Sequence, residues 1–516
     1  MQENTSSEVK TSEAKATADK AGAVKEAPKK PAVKKTPYID YISCAGCSVC
    51  VENCPRDCLK LTPPRFHGDI HSVAYMANKT ACISCGICEK VCPIEALTMV
   101  TPGTVPDNIA YSKEKNCMGR VYCRVFQGVM KVANYFLGYR TPEYIEGAGS
   151  IKKLPALIKA KGIKNVMLVT DNGLMKIGIP NGLIEALKEE GLQYTLFSDI
   201  QPNPTDENVE AGFKLFKENG CEALIAMGGG SPMDCAKGIA AKNAHPNKPV
   251  AKLQGILKVH KKIVPFWAVP TTSGTGSETT VAAVITEAKT HHKASINDPA
   301  ILPKYAVLDP ELTMGLPPFI TATTGLDALC HAVESYTNWT YCTSVEKDLS
   351  KKAVKLIYEN LYKAFENGKD LEARQNMQLA AFYAGRSFTR GCVGYVHAVG
   401  HTLGGLYGVP HGLAMAVILP HVMRQFGSSV YDRLADLSDE CGFKGTNEEK
   451  ALAFIGWMDE MKKKMNLPAG LDMIKDEDIP QIIAWADKEA NPLYPVPVIW
   501  GYNDFERLIN TLRTAD

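Results

Sequence analysis

Hydrophobic and polar positions follow three regimes along the chain. Between about Gly138 and Pro318, short apolar runs such as NVMLVTD (Asn165 to Asp171) and EALIAMGGG (Glu222 to Gly230) alternate with stretches of helical periodicity such as Leu183 to Glu190. A strand covered on both faces reads as a continuous apolar run, so this alternation predicts a parallel sheet flanked by helices. After Pro318 the β-branched runs stop and long helical patterns fill the remainder, which predicts an all-helical domain. Ahead of the strands, Val121, Val125, Val129 and Val132 recur at three- and four-residue intervals. That stripe predicts a helix from about Asn116 to Leu137 whose apolar side packs one domain on the next. At the start of the chain, residues 1–37 carry eight Lys and five acidic residues among Ala, Ser, Thr and Pro, with almost nothing large and apolar. Such a segment cannot bury enough surface to offset its ordering entropy and is expected to be a disordered, solvated tether.

Cysteine spacing defines a further domain. Nine of the 17 cysteines lie between Cys44 and Cys92. The run Cys44, Cys47, Cys50, Cys54-Pro55 has the spacing CxxCxxCxxxCP, and Cys82, Cys85, Cys88, Cys92-Pro93 reproduces it 38 residues later. Eight thiolates in two such runs fit two 4Fe–4S clusters, the fourth cysteine of each run serving the other cluster. One cluster then uses Cys44, Cys47, Cys50 and Cys92, the other Cys82, Cys85, Cys88 and Cys54. Structural zinc prefers separated CxxC pairs and leaves the third cysteine and the proline unexplained. Over some sixty residues the segment resembles bacterial two-cluster ferredoxins, with a longer insert between the runs. Cys58, outside both runs, is expected to be a small buried hydrophobe. Cys117 and Cys123 are six apart on different helix faces, which argues against a shared metal.

A chain of 516 residues exceeds one hydrophobic core. Its 45% hydrophobic content and net charge of +2 lack the basic excess of a nucleic-acid binder. No apolar run approaches the 18 or so residues that cross a bilayer, and no apolar h-region marks a secretory signal. Clustered CxxC spacing without secretion points to a reducing compartment, and the expected location is the cytoplasm.

Two constellations carry the chemistry. Strand EALIAM runs into Gly228, Gly229, Gly230, Ser231 and Pro232, where Ser231 suits a helix N-cap and Pro232 the first helical position. The free amides of that helix start favour a pyrophosphate. Asp171, ending an earlier strand, is placed to accept bonds from ribose hydroxyls and repel a 2′-phosphate, or else to cap a helix. Acid before glycine turn reverses the usual dinucleotide order. A second loop, PTTSGTGSE (Pro270 to Glu278), follows another buried strand. In the helical half, Asp327 and His331 are four apart on one helix face, His397 and His401 repeat that spacing, and His411 follows a Gly- and Pro-containing turn. A carboxylate with imidazoles suits Fe, Zn, Mn or Co, and a site with room for a substrate oxygen acts as a Lewis acid.

The motifs GLDALCH (Gly325 to His331), His397 through His401, Pro410-His411-Gly412, GGGSP and PTTSGTGSE together resemble the iron-containing (group III) alcohol dehydrogenase family, in the family's order and from about Gly138 to the C-terminus. The resemblance implies that Asp327, His331, His397 and His411 hold the catalytic iron, with zinc as a substitute, and that His401 stands near the nicotinamide as a proton-relay residue. It further implies that Asp171, Asn203, Gly228, Gly229, Gly230, Ser231, Thr271, Thr272, Thr275 and Lys293 hold NAD in preference to NADP. Leu493 follows Asn491-Pro492 where the family often has Arg.

The expectation is therefore a multidomain chain: tail 1–37, ferredoxin-like α+β iron–sulfur domain 38–100, linker with helix 101–137, α/β Rossmann-like nucleotide-binding domain 138–318, and all-α metal-binding domain 319–516. Its expected activity is hydride transfer between NAD(H) and a metal-polarised small alcohol or aldehyde, in a homo-oligomer of at least two subunits. The iron–sulfur domain is expected to pass electrons to a partner protein, to dock one, or to be a relic. The competing expectation is an electron-transfer or scaffold protein with a silent dehydrogenase half.

Overall fold

The computed structural model describes residues 34–39, 44, 47–62, 73–78, 80–93, 96–100, 117–288 and 293–515. The expected tail lies outside them up to residue 33, as does the linker loop 101–116. Thr36 and Pro37, placed in the tail by composition, belong to the strand Thr36–Ile39.

The cysteine-rich domain is built as a repeat. Helix Val49–Glu52 and strand Leu59–Thr62 recur 38 residues later as helix Ile87–Val91 and strand Leu97–Val100. The halves exchange strands: Thr36–Ile39 pairs antiparallel with Leu97–Val100, and Val73–Met76 pairs antiparallel with Leu59–Thr62. Ile39, Cys44, Cys50, Leu59, Ala74, Cys88, Ala96 and Leu97 form its small core.

The linker helix spans Cys117–Phe136, close to the expected bounds, but faces the other way. Val121, Val125, Val129 and Val132 are all more than half exposed, whereas Gln127 is fully buried and Asn134 nearly so. Hydrogen bonds made by its polar side outweigh the apolar stripe in setting the helix's rotation. Cys123 alone joins the core of the helical domain, while the side chain of Cys117 lies outside the described residues.

The next unit is a six-stranded, wholly parallel sheet in the order Glu143–Glu146, Tyr305–Leu308, Phe266–Pro270, Ala223–Gly228, Asn165–Val169, Gln193–Phe197. Two apolar clusters cover its faces. From Asn165–Val169 the chain moves outward to Gln193–Phe197 and then back past it to Ala223–Gly228. The strand order therefore reverses between the adjacent pair Asn165–Val169 and Ala223–Gly228, and ligands of such sheets bind outside the carboxyl ends at that point. A small sheet of Ala282–Thr286, Lys293–Asn297 and Gly255–Ile256 lies beside it and was not anticipated. From Pro318 onward the described elements are helical, beginning with the 20-residue helix Pro318–Thr337, around the largest core of the molecule. Among the described residues no helix is long and apolar enough to cross a membrane.

Candidate functional site

Helix Pro318–Thr337 projects Asp327 and His331 from one face, both nearly wholly buried. Helix Tyr395–Tyr407 brings His397, and His411 begins helix His411–Phe426. The space for His411 comes from its neighbour: a Cβ on Gly412 would lie 2.6 Å from the Thr323 carbonyl oxygen, so only glycine lets the two helices meet this closely. One potential ligand atom from each of Asp327, His331, His397 and His411 lies within 4.8 Å of the others. His411 Nε2 is 3.4 Å and His331 Nε2 3.9 Å from Asp327 Oδ1. Asp327 Oδ1, His331 Nδ1 and His397 Nε2 are buried and make no hydrogen bond among the described residues. Buried polar atoms are normally paired, so unpaired atoms in a cluster of one carboxylate and three imidazoles fit a cation.

The charge state suits that cation. Burial opposes ionisation of Asp327, yet His331, His411 and His397 together hold its carboxyl below the usual range. Burial pushes His331 down to about 3 and His397 well below its ordinary value, so both rings are neutral ligands at pH 7. His331 is fixed by stacking on Phe388, ring centroids 4.2 Å apart. His397 is fixed by Glu334, one turn beyond His331. Glu334 Oε2 lies 2.5 Å from His397 Nδ1, and its Oε1 accepts from the Val396 amide at 2.8 Å. Glu334 was not anticipated, although Asp327, His331 and Glu334 share one helix face by spacing. Sequence separation hid the second partner: His401 Nδ1 is 2.7 Å from Glu489 Oε1, which also accepts from Tyr494 Oη at 2.8 Å. The His401 ring lies 5.3 Å from that of His411 and 5.7 Å from that of His397.

At the strand-order reversal, Gly228 ends one strand and Asp171 follows its neighbour Asn165–Val169 by two residues, which explains how acid before glycine turn brings both to the same edge of the sheet. Gly228 has φ +153°, and a Cβ there would lie 2.6 Å from Pro232 Cγ. The helix after it, Gly230–Ala244, is capped by Gly229 in extended backbone, not by Ser231 as expected. An N-cap without a side chain leaves the first-turn amides without a side-chain acceptor. Ser231 instead sits within the first turn, where its hydroxyl accepts from the Asn203 amide at 3.3 Å. Asp171 caps the helix Asn172–Lys176, its Oδ1 accepting from Leu174 N at 2.9 Å.

Thr271 N donates to the Gly228 carbonyl at 3.1 Å, and Thr272 and Thr275 lie against Gly229 and Gly230. The loop then touches the helical domain: Gly276, at φ +58°, has room for no Cβ because Gly385 Cα of helix Leu371–Gly391 would be 2.7 Å away, and Gly274 packs on Thr324, one turn before Asp327. Lys237 ties this loop to the glycine-turn helix. Wholly buried, it donates to Ser277 Oγ at 2.9 Å and to Thr280 Oγ1 and Ala282 O at 2.8 Å, with Asp234 at 3.9 Å. Burial lowers Lys237 to about 8 and raises neighbouring Glu278 to about 7. Lys293 starts a strand of the small sheet, and its side chain lies outside the described residues.

In the cysteine-rich domain, the charges that act on Cys50 are those of Cys44, Cys92 and Cys47, after burial, which raises it to about 11. For Cys88, likewise raised to about 11 by burial, they are Cys85, Cys82 and Cys54. A cavity is lined by Cys54, Cys82, Cys85 and Cys88. Amides donate to the thiols at matching positions, Cys58 N to Cys54 Sγ and Ala96 N to Cys92 Sγ, each at 3.2 Å. Cys58 thus occupies the place that Ala96 fills in the other half.

Comparison with known proteins follows these boundaries. The profile described as iron-containing alcohol dehydrogenase matches residues 141–310, that of the Fe-containing alcohol dehydrogenase family, C-terminal, residues 321–498, and that of a 4Fe-4S binding domain residues 75–98. Alcohol dehydrogenase 4 of Schizosaccharomyces pombe is 38% identical over 355 residues, 68% of this chain and 83% of that protein. The crystal structure of a 1,3-propanediol oxidoreductase superposes with TM-score 0.70 at 33% identity, covering 73% of this chain and 100% of the other. Sulfoacetaldehyde reductase from Bifidobacterium kashiwanohense, solved in complex with NAD+, gives 0.67 at 29%, covering 74% and 100%. This chain belongs to the iron-containing alcohol dehydrogenase family of oxidoreductases and carries a 4Fe-4S binding domain ahead of it.

Proposed function

We propose that the chain interconverts a small alcohol and its aldehyde with NAD(H), at a divalent iron held by Asp327, His331, His397 and His411, with zinc able to substitute. The observation that carries this is the convergence of one ionised carboxylate and three imidazoles, with buried atoms lacking partners, next to a glycine turn at the strand-order reversal. A bound ion of this kind supplies Lewis-acid polarisation of the substrate oxygen. The protein's own groups do the rest. Asp327 supplies the negative charge, and Glu334 keeps the His397 proton on Nδ1 so that Nε2 faces the site. Glu489 does the same for His401, leaving His401 Nε2 to pass a proton at the alcohol oxygen.

For the dinucleotide, Gly228, Gly229, Gly230 and Ser231 would take the pyrophosphate on the first-turn amides. Asp171 would accept from the adenosine ribose hydroxyls, which favours NAD over NADP. Asn203, Thr271, Thr272, Thr275 and Lys293 would complete the grip. The relative solved with NAD+ and the relatives named for small alcohols support this choice. The cysteine grouping supports two 4Fe–4S clusters, crosswise ligated. Their domain would serve a redox partner, dock one or be a relic, in a cytoplasmic homo-oligomer. Metal analysis with anaerobic NADH oxidation on short aldehydes tests the proposal. Metal bound without turnover on any of them would overturn it in favour of a scaffold or electron carrier.

A further inference from the structure

The linker helix Cys117–Phe136 falls outside all three matched segments, yet its buried side reaches toward the catalytic machinery. Gln127 Nε2 donates to the carbonyls of Tyr494 (2.7 Å) and Pro492 (3.1 Å), while its Oε1 accepts from Trp339 Nε1 (2.6 Å) and Arg124 Nη1 (3.0 Å). Arg124 also donates to the carbonyls of Val496 (2.8 Å) and Pro497 (2.6 Å), with its guanidinium 5.2 Å from the centroid of the Trp339 ring. Trp339 N donates to the Pro495 carbonyl at 2.8 Å and Tyr341 Oη to that of Leu493 at 3.1 Å. Segment 492–497 contains three prolines, which have no N–H to give a ladder, so its course depends on outside donors for its carbonyls. Two side chains of one helix supply four of those bonds.

The same segment carries Tyr494. Its carbonyl is held by Gln127, and its hydroxyl donates to Glu489 Oε1, the oxygen that faces His401 Nδ1. A continuous chain of bonds therefore runs from the linker helix through Tyr494 and Glu489 to the His401 ring. A plain tether needs length and solvation, not a fully buried glutamine satisfied at both ends.

We propose that the linker helix is a structural part of the catalytic site, with Gln127 and Arg124 as positioning residues that set the orientation of His401 through Tyr494 and Glu489. The proposal rests on the reading of His401 as a proton-passing residue. Loss of the Gln127 donors removes the partner of the Pro492 carbonyl and leaves that of Tyr494 with the Val496 amide alone, which frees the segment to shift and moves the hydroxyl that helps fix Glu489.

Full-length Gln127→Ala, the shape-conserving Gln127→Glu, Tyr494→Phe and the double variant Gln127→Ala/Tyr494→Phe are compared with wild type by anaerobic kinetics. Val125→Ser, on the exposed side of the same helix, is the control. The expected result is a fall in kcat of roughly tenfold for either Gln127 variant, the scale of a lost hydrogen bond to a charged network. The KM for NADH is expected to stay within about twofold, because the glycine turn is on other elements, and the double variant to be no slower than the slower single one. Wild-type kcat in both Gln127 variants, or losses that multiply in the double variant, would overturn the proposal. An activity-independent arm uses zinc-loaded, histidine-labelled protein and the His401 Nδ1–H resonance, assigned with His401→Gln. Its loss or displacement in Gln127→Glu and retention in Val125→Ser supports the proposal, and an unchanged resonance refutes it. Wild type inactive on every aldehyde removes the proposed function, and the resonance then decides this inference by itself.

Discussion

Replacing Glu334 by glutamine should weaken metal binding while leaving the fold in place. The carboxylate is 2% exposed and serves two donors at once, His397 Nδ1 at 2.5 Å and the Val396 amide at 2.8 Å. Glutamine has the same shape but one acceptor oxygen, so it can satisfy only one of them. If the amide oxygen stays on Val396, its NH2 faces Nδ1 and favours the tautomer with the proton on Nε2, the atom needed for the metal. If the amide turns, the Val396 N–H is buried without an acceptor, at a cost of about 1–3 kcal/mol. The first arrangement degrades the ligand set directly and the second keeps the tautomer only by leaving the Val396 amide unpaired; loss of such an outer partner typically costs about 10–100-fold in metal affinity, or ~1.4–2.7 kcal/mol. Competition titration with a chromophoric chelator gives the dissociation constant directly, and kcat at saturating metal shows whether the assembled site still works. A dissociation constant within about threefold of wild type would refute the argument that Glu334 sets the His397 tautomer.

Three further outcomes follow from particular contacts. With crosswise ligation, Cys92→Ser should leave the same residual cluster signal in electron paramagnetic resonance as Cys47→Ser, and Cys54→Ser the same as Cys85→Ser; a match of Cys92→Ser with Cys85→Ser would sink it. Burial raises Glu278 to about 7, so the folded state holds that proton more tightly than the unfolded chain does. The resulting stabilisation is complete below the ordinary value near pH 4.5 and is lost as pH rises through about 7. Glu278→Gln should then melt close to wild type at pH 5 and higher at pH 8, and parallel melting profiles between the two would contradict it. Asp171→Ala should remove the cap on Leu174 N, a loss of about 1 kcal/mol, and narrow the preference of NADH over NADPH; an unchanged ratio would separate Asp171 from ribose recognition.

The parts of the molecule written in local pattern were legible. Continuous apolar runs marked the central strands, and four-residue spacing put Asp327 and His331 on one face because helical geometry alone decides that. Glu334 lies on that face by the same rule, but spacing alone does not distinguish a carboxylate that orients an imidazole from one on any helix face. The linker helix shows where periodicity runs out: a stripe of valines says that one face is apolar, not that this face is turned inward. Gln127 and Arg124 found five partners on the other side, and those hydrogen bonds, made around a fully buried Gln127, decided the rotation. Residue preference favours Ser231 as the cap, but the extended backbone of Gly229 takes that place two residues earlier. Glu489 and Tyr494 could not be paired with His401 from sequence, since 88 residues separate the histidine from the glutamate and no local rule spans them.

The two redox modules differ in how many electrons they move. A hydride carries two together, whereas a 4Fe–4S cluster accepts one, and the sequence carries no recognisable flavin-binding stretch to divide the pair. Two clusters together could hold both electrons, so the mismatch lies in the step, a hydride moving its pair at once and each cluster taking a single electron. What the connecting helix does offer is rigid, buried attachment at one loop, and that loop ends on the partners of His401. Attachment of this kind transmits position, not electrons.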